Sequence, residues 1–396
     1  MFKKHKNQQD VDMAFWWKKN PHTPNEFVKS IKEQLNILHN LSGISNTSNL
    51  IGSTSNEDNN TNEKRRAQEE CSKYLIGLKE FILRDGNNGN TLGNQPSNEL
   101  MDEMYNAMHN KDLFYDLINN FCELEFEAKK EVMLIYAISL RYSKDNKLVT
   151  VDYLVSKPSI IKLMILKIEE SLNNKKNYQD NFLMLGNMII ENIKYEQLNR
   201  IILKDPNFWK FFEFAKLNNF EISTESLQIL NVALTSNIKL VSREFFNSYS
   251  SDDINNNSNE NIPRFINNIN KLIVNGTYVI KRQSIKLLTS LILNRTFSTL
   301  RNEYISSADN LKLIMLLLID KSKNLQLESF NIFKVMIANP TKDKYVMEIL
   351  IKNREKLIRY FNNFNLDNQD SKFNDEKEFV IRGIETLPRL AERAEF

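Results

Sequence analysis

Glu225-Ser226-Leu227-Gln228-Ile229-Leu230-Asn231 opens on a charge and continues as one apolar helical face, and the chain repeats that pattern. Arg282-Gln283-Ser284-Ile285-Lys286-Leu287-Leu288 and Glu328-Ser329-Phe330-Asn331-Ile332-Phe333-Lys334 follow it, and Glu131-Val132-Met133-Leu134-Ile135-Tyr136-Ala137 precedes it. In chain order their starts lie 94, 57 and 46 residues apart, and the first step is twice 47 with residues 181–193 supplying the middle unit. Glu70-Cys71-Ser72-Lys73-Tyr74-Leu75 fits one unit earlier. A helical period of about 40–47 residues is the signature of armadillo and HEAT repeats, whose units bury their apolar faces only by stacking on neighbours. The expected fold is therefore all-α: an armadillo/HEAT-like helical-repeat solenoid coiled as a right-handed superhelix. A single repeat domain is expected over residues 25–387, after an N-terminal extension and aromatic cap at 1–24 and before a tail at 388–396.

Composition agrees. Of 396 residues 41% are hydrophobic and 26% charged, enough apolar material for a sizeable core. Only 9 Gly and 8 Pro are present, too few for an all-β or Gly-rich phosphate-loop fold. The formal charge of +3 creates no global field, so neither nucleic acid nor a membrane surface is an expected partner. The longest apolar run, residues 313–319, is far short of the roughly 20 residues of a membrane span. The Lys- and Gln-rich start has no apolar segment behind it, so no secretory signal is expected. Cys71 and Cys122 then belong to a reducing compartment, and a cytoplasmic location is expected.

Residues 40–62, 85–98 and 247–261 are rich in Asn and Ser and read as disordered loop insertions. Asp205 before Pro206 reads as a helix N-cap, as do Ser97, Thr150 and Asp309, while Gly276 after Asn275 reads as a helix end. Strand-like alternation is confined to short pieces.

No constellation for catalysis stands out. The four histidines, His5, His22, His39 and His109, all lie in the first third, and His5 and His39 sit in segments read as disordered. No phosphate loop, dinucleotide fingerprint, nucleophile elbow or zinc motif is present. No enzyme activity, cofactor or metal is expected. Asp367 and Glu378 have the end-to-end spacing of an EF-hand loop, with Gln369, Ser371 and Asp375 at ligand places, but Lys372 stands where the sharp turn needs Gly. Phe15-Trp16-Trp17-Lys18-Lys19 is expected to cover the apolar end of the first repeat. Residues 278–315 carry Lys281, Arg282, Lys286, Arg295, Arg301 and Lys312 against only Glu303 and Asp309. Arg282 and Lys286 stand one helical turn apart on one face, which suits an acidic peptide or a C-terminal carboxylate. Met315 supplies an adaptable apolar floor.

Met13-Ala14-Phe15-Trp16-Trp17-Lys18-Lys19, Tyr278-Val279-Ile280-Lys281-Arg282-Gln283-Ser284, Asn310-Leu311-Lys312-Leu313 and Asp320-Lys321-Ser322-Lys323-Asn324 carry a family resemblance. Phe333-Lys334-Val335, Ala338-Asn339-Pro340 and Phe373-Asn374-Asp375-Glu376-Lys377 continue it. From about residue 13 to 387 the chain resembles the calcium-binding protein 39 family, also called mouse protein 25, and most of all its fungal members. The resemblance implies a helical-repeat scaffold without catalysis that binds sterile-twenty-class protein kinases or pseudokinases and holds them in the active conformation. In fungi it implies a network for polarised growth, cell morphogenesis and cell separation, upstream of an NDR-type kinase. By the same resemblance, Arg282, Lys286, Met315 and Lys352 match the pocket for a partner's tryptophan-containing hydrophobic C-terminal tail. Tyr278 and Arg295 match the kinase-domain contact. The family's aromatic three positions after that arginine is replaced by Ser298, leaving the neighbouring Phe297 as the candidate. The resemblance implies no calcium site. The alternative is a general peptide- or RNA-binding α-solenoid adaptor, although RNA-reading repeats need base-stacking residues once per unit and no such set recurs.

Overall fold

The computed structural model describes residues 21, 23–48, 57–83, 98–173, 177–247, 260–365 and 370–388. They form two compact units, residues 1–208 and 209–396. In the first run α1 (Pro24–Ser48), α2 (Glu57–Ile82), α3 (Asn98–Asn110), α4 (Leu113–Asn119), α5 (Phe126–Arg141), α6 (Val149–Ser156), α7 (Ser159–Asn173), α8 (Tyr178–Ile193) and α9 (Glu196–Lys204). In the second run α10 (Lys210–Phe214), α11 (Phe220–Thr235), α12 (Ile238–Leu240), α13 (Asn261–Asn275), α14 (Tyr278–Leu293), α15 (Ser298–Ile305), α16 (Ala308–Leu318), α17 (Lys323–Ala338), α18 (Lys344–Asn362) and α19 (Ser371–Glu385).

The repeating stretches fall on one row of helices in each unit. In the first unit α2 packs on α5 and α5 on α8; in the second α11 packs on α14, α14 on α17 and α17 on α19. Row helices other than α5 also pack on the helix before them, as α1 on α2, α7 on α8, α10 on α11, α13 on α14, α16 on α17 and α18 on α19. This is the two-helix unit of a helical-repeat fold. The packing follows from the sequence: Ile280, Ile285, Leu288, Leu291 and Ile292 of α14 are all buried, each contributing about 1.5–3 kcal/mol on leaving water. Small residues let neighbouring helices approach. Ser226 and Ser329 are fully buried and donate to their own helices' carbonyls at Ile222 and Leu325, both at 2.6 Å, so neither hydroxyl is left unmet.

Several local expectations change. Residues 40–48 belong to α1 and 57–62 to α2, so Asn- and Ser-rich composition did not prevent helix there, and His39 is likewise helical. Asn98 opens α3 and Asn261 opens α13. Residues 49–56, 85–97 and 248–259, like the aromatic cluster at 15–19 and Ser97, lie outside the described residues. Asp205 does cap, its Oδ1 accepting from the Asn207 amide at 2.8 Å at the head of a 3-10 turn, Pro206–Trp209. Asp309 does not: Ser307 caps α16, its hydroxyl accepting from the Asn310 amide at 3.3 Å. Thr150 is buried inside α6, its hydroxyl 3.2 Å from Nε2 of His109.

Gly276 follows the last residue of α13 in an extended conformation, φ −71° and ψ 158°. Close approach, and no left-handed turn, is what requires glycine: a Cβ there would lie 2.4 Å from the Leu272 carbonyl oxygen and 2.8 Å from Cγ2 of Ile280. The left-handed corners belong to other residues, with Asp112, Asp145, Asn146, Asn177 and Asn365 at positive φ and no glycine among the described residues there. Asp145 and Asn146 join β1 (Ser143–Lys144) to β2 (Lys147–Leu148) in a tight antiparallel hairpin, with the paired positive φ values of a type I′ turn.

Candidate partner-binding surface

All seven candidate residues lie in the second unit. Thr277 caps α14, accepting from the Ile280 amide at 3.5 Å. With Ile280, Ser284, Leu287 and Leu288 turned into the core, Arg282 and Lys286 stand exposed on the opposite face. Neither holds a hydrogen bond or ion pair among the described residues. Lys286 lines a groove of about 410 Å³ between α11 and α14, together with Gln228, Asn231 and Gln283.

Met315 lies elsewhere, half-buried in a groove of about 530 Å³ between α16 and α18. The walls are apolar: Met315, Leu316 and Ile319 face Ile349 and Leu357, with Lys312 and Lys356 at the rim. Leu316 is 64% and Ile319 66% exposed, unusual for residues of that size. Tyr360 closes one end, donating its hydroxyl hydrogen bond to the Leu318 carbonyl, and burial pushes its phenol up to about 12. Lys352 is exposed on α18 one turn before Lys356, on the same face. The four tail-pocket candidates are thus divided: Met315 lines the apolar groove, Lys352 flanks its Lys356 side, and Lys286 lines a different groove with Arg282 one turn away. Sequence reasoning missed Lys356, Leu316 and Ile319. The signal for Leu316 and Ile319 was present in the unbroken apolar run 313–319, since a helix apolar all round must leave one side uncovered unless it is buried on every side.

Tyr278 is half exposed at the head of α14, its oxygen accepting from Asn324 Nδ2 at 3.3 Å and lying 3.3 Å from Ser322 Oγ. The hydrogen bond from Asn324, then that from Ser322, lowers its phenol below the ordinary tyrosine value. Arg295 is exposed on a 3-10 turn, Arg295–Phe297, which Asn294 caps by accepting from the Thr296 amide at 3.0 Å. Phe297 corrects the sequence reading. It is 3% exposed and packs edge-on against Phe246 at 5.7 Å, while Ser242 Oγ donates to the Thr296 carbonyl at 2.9 Å. An aromatic held in the core offers no contact surface; it anchors the turn that presents Arg295. Phe220, 66% exposed at the start of α11, and Val274, 57% exposed near the end of α13, are further apolar groups at helix ends that the sequence did not single out.

Of the EF-hand-like stretch, Asp367 and Gln369 lie outside the described residues, and the remainder is helix from Ser371 onward. Residues 371–378 are the first turns of α19, Asp370 caps it by accepting from the Lys372 amide at 3.0 Å, and Glu378 pairs with Arg382 on the same helix. Among the described residues no group of three or more His, Cys, Asp or Glu side chains is placed to hold a metal ion, and no helix is long and apolar enough to cross a membrane.

Stacked two-helix units with exposed grooves and unpaired cations define a repeat protein of the binding kind. Sequence comparison places it more closely. The pattern of the Mo25-like family matches residues 15–388, and the chain belongs to that family, a family of helical-repeat scaffolds. Protein HYM1 of Saccharomyces cerevisiae is 58% identical over 391 residues, covering 98% of this chain and 89% of that protein. The Mo25-like protein of Schizosaccharomyces pombe is 34% identical over 327 residues, covering 82% and 91%. Calcium-binding protein 39-like of Mus musculus is 33% identical over 369 residues, covering 93% and 96%.

Proposed function

We propose that this chain is a non-catalytic scaffold that binds a sterile-twenty-class protein kinase or pseudokinase and holds it in its active conformation. Its setting is a cytoplasmic network for polarised growth, cell morphogenesis and cell separation, linked to an NDR-type kinase. The observation that carries the reading is the apolar groove around Met315, with Leu316 and Ile319 left uncovered and lysines at its rim. Apolar walls suit a tail's tryptophan, and the cations suit its terminal carboxylate. Lys352, Arg282 and Lys286 extend the positive charge beyond the groove. Tyr278 and Arg295 form the second contact, against the kinase domain, with Phe297 acting from beneath. Activation then needs only that the scaffold bind the active conformation better than the inactive one, since a ligand shifts an equilibrium by its differential affinity.

The test is fluorescence anisotropy with a labelled peptide ending in a tryptophan-containing tail and a free carboxylate. Truncating a central anchor typically costs about 2 kcal/mol or more, so Met315→Ala should weaken the peptide about thirtyfold. Arg295→Ala should leave the isolated peptide unaffected and lower stimulation of the kinase. Parental peptide affinity in both Met315→Ala and Arg282→Ala, with helices intact by circular dichroism, would sink the pocket.

A further inference from the structure

The groove between α11 and α14 has a chemistry of its own. Gln228, Asn231 and Gln283 are exposed, and none of their side-chain amides makes a hydrogen bond among the described residues. Other amides of this unit are engaged: Gln326 donates to the Asp320 carbonyl at 2.6 Å and Asn353 to the Ile349 carbonyl at 2.8 Å. Three free amides and the unpaired Lys286 therefore converge over a floor of Leu227 and Leu287, in about 410 Å³. No carboxylate lines it. Glu225, the nearest on α11, stands outside the lining, and burial pushes its carboxyl up toward the neutral form.

A carboxamide presents a donor and an acceptor together, which is what an extended peptide presents at each residue. Packed helices lie about 8–10 Å apart and an extended chain advances about 3.3 Å per residue. Amides on neighbouring row helices are thus spaced to hold main-chain groups about three residues apart, whatever side chains the segment carries. Lys286, with Arg282 one turn away, adds a demand for negative charge. We propose that this groove holds an extended acidic segment of a partner protein by its main chain, through Gln228, Asn231 and Gln283, with Lys286 selecting the charge. The proposal rests on reading the chain as a scaffold, and not on the apolar tail groove.

Fluorescence anisotropy of the full chain with a labelled ten-residue peptide of alternating Asp and Ser tests it. Saturable binding is expected, weakened about fivefold by Asn231→Ala or Gln283→Ala, the worth of one net hydrogen bond. The triple variant with Gln228→Ala should lose more than tenfold. N-methylation of alternate peptide nitrogens keeps the probe's charge and removes its main-chain donors, and should also lose more than tenfold. The triple variant should bind the tryptophan tail peptide as the parent does. The proposal is overturned if the Asp-Ser probe does not bind, or if the methylated probe binds as tightly as the unmodified one. It is equally overturned if the triple variant, helical by circular dichroism, keeps parental affinity, or if decauridylate binds more tightly than the acidic peptide. Acidic-peptide binding that persists while the tail peptide fails to bind would sink the tail groove and support this one.

Discussion

Arg295 and Phe297 stand two positions apart in one turn and meet opposite surroundings, water and an aromatic core. Phe297→Ala should cost about 3–5 kcal/mol of stability, as large-to-small core changes do, whereas Arg295→Ala should stay within about 0.5 kcal/mol; urea unfolding of both variants checks this. Gly276→Ala forces a Cβ against the Leu272 carbonyl and should destabilise by about 1–3 kcal/mol. His109, stacked 4.4 Å from Tyr153, is pushed down to about 4 by burial, with Lys157 adding to the shift. The unfolded chain takes up this proton near its ordinary value of about 6.5, while the folded chain resists it down to about 4. Stability from this group is therefore full above the ordinary value and falls as pH drops through that window, by at most about 3 kcal/mol. Urea midpoints measured across that window should shift less in His109→Asn. At this scale charge was legible and burial was not: the basic run 278–315 is plain in sequence, but Arg-Thr-Phe-Ser in a 3-10 turn has no period that says which side chain turns inward.

The row helices were legible because each repeats an apolar stripe over four turns, a signal that composition alone cannot imitate. Their ends were less so. Ser307, Asp309 and Thr150 all have capping chemistry, and only the geometry of the preceding turn makes Ser307 the cap of α16. Ser307→Ala should cost about 1 kcal/mol and Asp309→Ala much less, a difference that thermal unfolding resolves. The β1–β2 hairpin was missed because two paired residues per strand are too few for alternation to register; its one signal was Asp145-Asn146. Since residues 371–378 are wound into α19 with Glu378 already paired, calcium titrated by calorimetry should give no saturable heat. Micromolar binding abolished by Glu378→Gln would overturn that.

For the molecule as a whole, the 47-residue spacing was readable because a repeat fold is quasi-one-dimensional, each unit answering mainly to its neighbours. The division of the tail-pocket candidates between two grooves was not readable, because spacing along the chain does not report which faces share a cavity. Both grooves, and Tyr278 and Arg295, lie within residues 209–396. That fragment should stay helical and bind the tryptophan tail peptide within about threefold of the full chain, by circular dichroism and anisotropy; a folded fragment that has lost binding would show that the first unit contributes to the site. The same molecule turns its left-handed corners with Asp112, Asp145, Asn146, Asn177 and Asn365, and has only 9 glycines in 396 residues. Each such corner carries about 1–2 kcal/mol of local strain that glycine would relieve. Glycine there would also loosen the denatured chain, at a cost of about 0.4–1 kcal/mol. Much of what these corners lose to strain in the folded state is thus recovered as a smaller entropy of unfolding, so replacing them with glycine should change stability far less than the strain alone would suggest.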